Sequence, residues 1–132
     1  MSSKGFGSKD GSINKTKKVN FLGKDKLLSN AFAFHSKGRV KEASEIYNFL
    51  IKNRYFDPRI FNNLGTIYLQ LKDFDKAILL FEESIKKFPD SLEPYSNLAN
   101  VLLKKGNNDA AKKYLEKAIE INPKYLKAYS NL

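Results

Sequence analysis

Side chains that could carry out chemistry are few in this sequence of 132 residues. It has no cysteine and a single histidine, His35, which excludes thiol nucleophiles, disulfides and cysteine-based zinc sites. A lone histidine with no second ligand or acid at helical spacing does not predict a metal site or a general base. No glycine-rich phosphate loop, paired-carboxylate site or nucleophile motif is present. We therefore expect a protein that is not an enzyme, with no catalytic residue, no metal and no cofactor.

Asparagine amides have a more informative spacing. Asn63, Asn97 and Asn131 recur at a step of 34 residues. A side-chain amide both donates and accepts hydrogen bonds, so amides in register could bind the backbone of an extended peptide whatever its side chains. The alternative is a set of polar residues on a solvated helix face in an asparagine-rich chain. The sequence leaves both interpretations open.

The formal charge of +10, from 24 basic and 14 acidic residues, raises nucleic acid as a partner. Only three of the basic residues are arginine, whose planar guanidinium commonly binds phosphates and base edges. We therefore favour solvated lysine faces over a nucleic-acid site. The longest apolar run, residues 77–81, is too short to cross a bilayer, and lysines at the N-terminus lack the apolar segment of a secretory signal. These features predict a cytoplasmic protein without a membrane span.

The elements that must position the polar side chains repeat along the chain. Each repeat contains two helical patterns separated by a short break, which predicts antiparallel helix pairs that bury their apolar faces by stacking. The units are 24–57, 58–91, 92–125 and a partial 126–132, after a flexible basic tail over residues 1–23. Small and large apolar residues recur at the step of 34 in four columns: Ala31, Gly65 and Ala99; Ala43, Ala77 and Ala111; Tyr47, Phe81 and Leu115; Phe34, Tyr68 and Leu102.

Residues typical of helix ends agree with this division. Asp57, which is followed by proline, predicts an N-cap. Asp90 and Glu93 have the spacing of a capping box. Gly38 and Gly106 lie between paired helices, where the chain must reverse tightly.

The repeat resembles the tetratricopeptide repeat family, whose pattern is W-x2-L-G-x2-Y, then A-x3-F, then P across 34 residues. Residues 61–68 (FNNLGTIY) match the first part with Phe61 in place of tryptophan, residues 77–81 match the second, and Pro89 matches the third. The first unit departs from the pattern at Asn30 and Tyr55. The resemblance implies an all-α, right-handed α-solenoid of stacked antiparallel helix pairs, with about three repeats plus a partial fourth. It also implies a concave groove lined by the first helix of each pair.

From the resemblance we expect a protein–protein interaction scaffold that binds an extended peptide or a partner protein in this groove. Some members hold acidic chaperone tails with a set of cations, but the corresponding columns here lack that set and Glu93 opposes it. The expected groove residues are Arg59, Asn62, Asn63, Thr66, Gln70, Glu93, Asn97, Asn100, Lys104, Lys127 and Asn131.

The sequence stops at Leu132, where the repeat pattern has just restarted. An open stack of repeats needs a polar cap, so we expect a fragment of a longer protein, a truncated reading frame, or a repeat end covered by a partner. End-to-end self-association through this uncapped repeat is one such arrangement. An alternative function is the substrate-presenting repeat region of a larger transferase-type enzyme. Nucleic-acid binding through the lysines is the less favoured alternative.

Overall fold

The structure, a computed structural model, describes residues 23–124. Within that range the chain forms helices and no strand, which confirms the predicted all-α class. It divides into two compact units after Tyr55. The predicted stub and most of the predicted tail, together with Lys127 and Asn131, lie outside the described residues. The helices are α1 (Lys24–Ser36) and α2 (Val40–Lys52) in the first unit, and α3 (Pro58–Gln70), α4 (Phe74–Lys87), α5 (Glu93–Lys104) and α6 (Asn108–Ile121) in the second.

The first unit is a single helix pair in which α1 packs against α2. Its small-column residues Ala31 and Ala43 are completely buried, as is Tyr47. Tyr55 stands where the other repeats have proline, and its hydroxyl donates a 2.6 Å hydrogen bond to the Asp25 carboxylate. This bond links the segment after α2 to the start of α1.

The second unit contains two helix pairs, with α3 against α4 and α5 against α6. Helix α5 also packs against α4 and contacts α3, so the two pairs share one apolar interior. The small-residue columns permit this close packing because short side chains let helix axes approach. At Gly65 the approach is closest, since a Cβ atom added there would lie 2.5 Å from Cε1 of Phe81.

The turns within the helix pairs use a left-handed backbone conformation. Gly38 and Gly106 have φ angles of 77° and 81°, in agreement with their predicted role. Lys72 occupies the equivalent position in the middle pair and adopts φ 60°, although a lysine side chain disfavours this region. The turn geometry is therefore conserved between the units even where the glycine is not.

The helix starts agree with the predictions except at α5. Asp57 caps α3 by accepting a 2.9 Å hydrogen bond from the backbone N–H of Arg59. The predicted capping box of Asp90 and Glu93 is wrong, because α5 begins at Glu93 with Leu92 at the N-cap and no side-chain cap bond. The Glu93 carboxylate instead accepts a hydrogen bond from Asn62 of α3. The longest described helices have 14 residues, and none of the described helices is long and apolar enough to cross a membrane.

Candidate functional site

Helices α3 and α5, the first helices of the two pairs in the second unit, present polar residues beside each other. On α3 the apolar positions Ile60, Phe61, Leu64 and Ile67 are buried, which leaves the intervening positions for polar side chains. Helix α5 follows the same pattern. We call the result the α3–α5 face, which consists of Asn62, Asn63, Thr66, Glu93, Asn97 and Asn100.

A hydrogen-bond network connects the two helices across this face. The Asn62 side-chain amide donates to Oε2 of Glu93, and the Asn97 amide donates a 2.9 Å bond to Oδ1 of Asn62. Asn62 is only 9% exposed, so its amide is held in the interior while Glu93 is exposed and Asn97 is half-buried. Thr66 adds a 2.8 Å bond from its hydroxyl to the Asn62 carbonyl oxygen. The network fixes the orientation of both amides at the surface.

The structure brings together only part of the predicted set. Asn63 and Asn100 are half-buried on the same face, whereas Gln70 and Lys104 are exposed near the C-terminal ends of their helices. The sequence suggested a column of Asn63 and Asn97, separated by one repeat length. The bonded pair is Asn62 and Asn97, and this offset follows from the rotation of α3 relative to α5, which the repeat length alone does not give.

Arg59, a predicted groove residue, is bound at the start of α3. Its Nε and Nη2 atoms donate to the two Asp57 carboxylate oxygens at 2.9 and 2.7 Å. These side-chain bonds, together with the backbone N–H of Arg59, lower the pKa of Asp57. The guanidinium charge is therefore offset locally by a carboxylate.

Lysines on the second helices of the pairs are interspersed with acidic residues. Ion pairs three or four residues apart dilute the positive potential along these exposed surfaces. Within residues 23–124, no group of three histidine, aspartate or glutamate side chains could hold a metal ion. The nitrogen–oxygen distances are 3.6 Å for Lys76–Asp73, 3.9 Å for Lys87–Glu83, 4.0 Å for Lys112–Glu116 and 3.7 Å for Lys117–Glu120.

Solved structures with the same fold include a bacterial chaperone. The translocator chaperone SycD of the Yersinia enterocolitica type III secretion system is 24% identical, with a TM-score of 0.76 over 83% of this chain and 88% of that chain. PcrH, solved in complex with the chaperone-binding region of PopB, is 18% identical, with a TM-score of 0.74 over 83% of this chain and 91% of that one. PcrH has also been solved from Pseudomonas aeruginosa.

A third similar structure is the first tetratricopeptide repeat region of Spaghetti (RPAP3), bound to the HSP90 peptide SRMEEVD. It is 20% identical, with a TM-score of 0.76 over 83% of this chain and 86% of that chain. No curated protein sequence matches this chain significantly.

Sequence models of one family match most of the chain. One tetratricopeptide repeat model matches residues 68–132, and a second matches residues 33–91. Together they cover all three helix pairs, in agreement with the buried small-residue columns and the 34-residue step. This chain belongs to the tetratricopeptide repeat family.

Proposed function

We propose that this chain is a protein-interaction scaffold that binds an extended peptide segment of a partner protein on the α3–α5 face. The observation that carries the proposal is the 2.9 Å bond between Asn97 and Asn62. It uses one N–H of the Asn97 amide. Within the described residues the Asn97 side chain makes no other hydrogen bond, so one N–H and the oxygen remain for a ligand. A peptide bond has the complementary donor and acceptor.

Pre-organisation favours binding at this position. A free asparagine side chain loses rotamer freedom when a ligand fixes it, and that loss weakens binding. The bond to buried Asn62 has already fixed Asn97 in the unbound chain. Two proteins of the same fold, PcrH and Spaghetti, have been solved with segments of other proteins bound to them. These structures support a peptide as the class of ligand.

The test is retention of a random peptide library on the immobilised full chain. The library contains peptides of about nine residues, because the α3–α5 face is about 16 Å long and an extended peptide rises about 3.3 Å per residue. We expect Asn97→Ala to reduce retention about fivefold or more, the loss expected for one or two hydrogen bonds to a peptide backbone. Asn108→Ala is the matched control, since Asn108 is exposed at the start of α6. Equal retention by wild type and Asn97→Ala would remove this face from the binding mechanism.

A further inference from the structure

We infer that the α3–α5 face selects peptides with a basic side chain, which Glu93 binds, and disfavours peptides with acidic side chains. This inference rests on the proposed function, because it names the chemistry of the peptide that the same face would bind. It is carried by the direction of the hydrogen bonds between Asn97, Asn62 and Glu93.

The chemistry of the carboxylate determines that direction. An ionised carboxylate only accepts hydrogen bonds, so Asn62 must turn its NH2 group toward Glu93. The Asn62 oxygen then faces Asn97, which must turn its own NH2 group toward Asn62. Both amides therefore direct N–H groups along one path that ends at Glu93. The amide orientations follow from the acceptor at the end of the path.

The groups left for a ligand differ along the face. Asn62 is too buried to offer its second N–H, while Asn97 offers one donor and one acceptor, which suit a peptide bond. Glu93 is exposed, and within residues 23–124 its carboxylate forms no ion pair. An ammonium or guanidinium group can supply the missing counter-charge, whereas a ligand carboxylate would meet a like charge.

Other charges near the face do not cancel this preference. The Arg59 guanidinium is bound to Asp57 by two hydrogen bonds. Lys104 lies eleven residues after Glu93 on the same helical stripe, a separation of about 16 Å along the axis. At physiological salt, where the screening length is about 8 Å, Lys104 acts weakly at Glu93. The selected basic side chain is therefore confined to the Glu93 end of the face.

The experiment compares two peptide libraries of about nine residues, a length that spans the face with an overhang. They differ only in a fixed central residue, lysine or glutamate, and the other positions are randomised among uncharged residues. Retention is measured on the immobilised full chain at about 0.15 M salt. We expect the lysine library to be retained about fivefold more strongly than the glutamate library, as for one partly exposed ion pair.

Two variants identify the residue that is responsible. Glu93→Gln keeps an oxygen that accepts from Asn62 but removes the charge, so the preference for lysine should fall to about unity while the far-UV circular dichroism and melting temperature stay the same. Glu82→Gln, at an exposed residue of α4 without an ion pair in the described part of the chain, makes the same change in net charge and should keep the preference.

The outcomes separate the selectivity from the proposed function itself. Equal retention of both libraries, stronger retention of the glutamate library, or equal effects of the two variants would overturn the role of Glu93 and leave a peptide-binding face. Retention of neither library would overturn the proposed function, and the selectivity with it.

Discussion

One added methyl group at Gly65 tests how closely α3 packs against α4. A Cβ atom at this position would lie 2.5 Å from Cε1 and 2.7 Å from Cζ of Phe81. Non-bonded carbon atoms prefer a separation of about 3.5–4 Å, so the ring must move by about 1 Å. Phe81 is completely buried in a close-packed interior, which leaves little space for that movement.

The expected free-energy change has two opposing contributions. Overpacking a core by one methyl group costs about 1–3 kcal/mol, and the short distance here places Gly65→Ala in the upper half of that range. Alanine is favoured over glycine within a helix by about 1 kcal/mol. The free energy of unfolding should therefore fall by about 1–2 kcal/mol.

The third helix pair provides the control. Ala99 and Leu115 occupy the positions equivalent to Gly65 and Phe81, and both are buried. In a Phe81→Leu background the ring is absent, so Gly65→Ala should be stabilising by up to about 1 kcal/mol. The same substitution thus changes the sign of its effect between the two backgrounds.

The assay is urea denaturation of the four proteins, followed by far-UV circular dichroism and analysed as a double-mutant cycle. We expect a coupling free energy of about 2–3 kcal/mol between the two positions. The packing argument is refuted if Gly65→Ala is at least as stable as wild type, or if its effect is the same in both backgrounds.

Three further predictions use the same denaturation assay. Lys72→Gly should raise the free energy of unfolding by about 0.5–1 kcal/mol, because Lys72 holds a φ of 60° where equivalent turns use glycine; a loss of stability would contradict this. Ser84→Ala and Ser96→Ala should each stabilise by about 1 kcal/mol, since both hydroxyls are buried without a hydrogen-bond partner; destabilisation would show that the hydroxyls are bonded. Asp57→Asn keeps the capping oxygen and loses the charge. Because Arg59 lowers the pKa of folded Asp57, the advantage of wild type should be full above about pH 4 and fade as the pH falls through the folded pKa; a difference independent of pH would refute it.

The sequence was sufficient to predict the helix pairs and their interior. Alanine and glycine at a constant step of 34 residues can be explained only by equivalent close contacts, and Gly65, Ala77, Ala99 and Ala111 are all buried. The left-handed turn at Lys72 was also within reach, since the same step aligns it with two glycines. Residue type alone concealed it, because lysine is not typical of such turns.

The start of α5 and the network on the α3–α5 face could not be predicted in the same way. Local spacing suggested that Glu93 would form a capping box, but a hydrogen bond from Asn62, 31 residues earlier, uses its carboxylate. The pairing of Asn62 with Asn97 depends on how α3 is rotated against α5. Repeat length sets which residues are equivalent, whereas side-chain packing sets which of them meet.

Amide chemical-shift mapping tests the central claim most directly. The full chain, labelled with ¹⁵N, is titrated with a peptide retained from the lysine library, and backbone and asparagine side-chain resonances are followed. We predict that the largest changes occur at Asn62, Asn97 and Asn100, including the side-chain NH2 groups. Changes concentrated instead on the lysine-rich surface of α6, with these asparagines unaffected, would contradict peptide binding on the α3–α5 face.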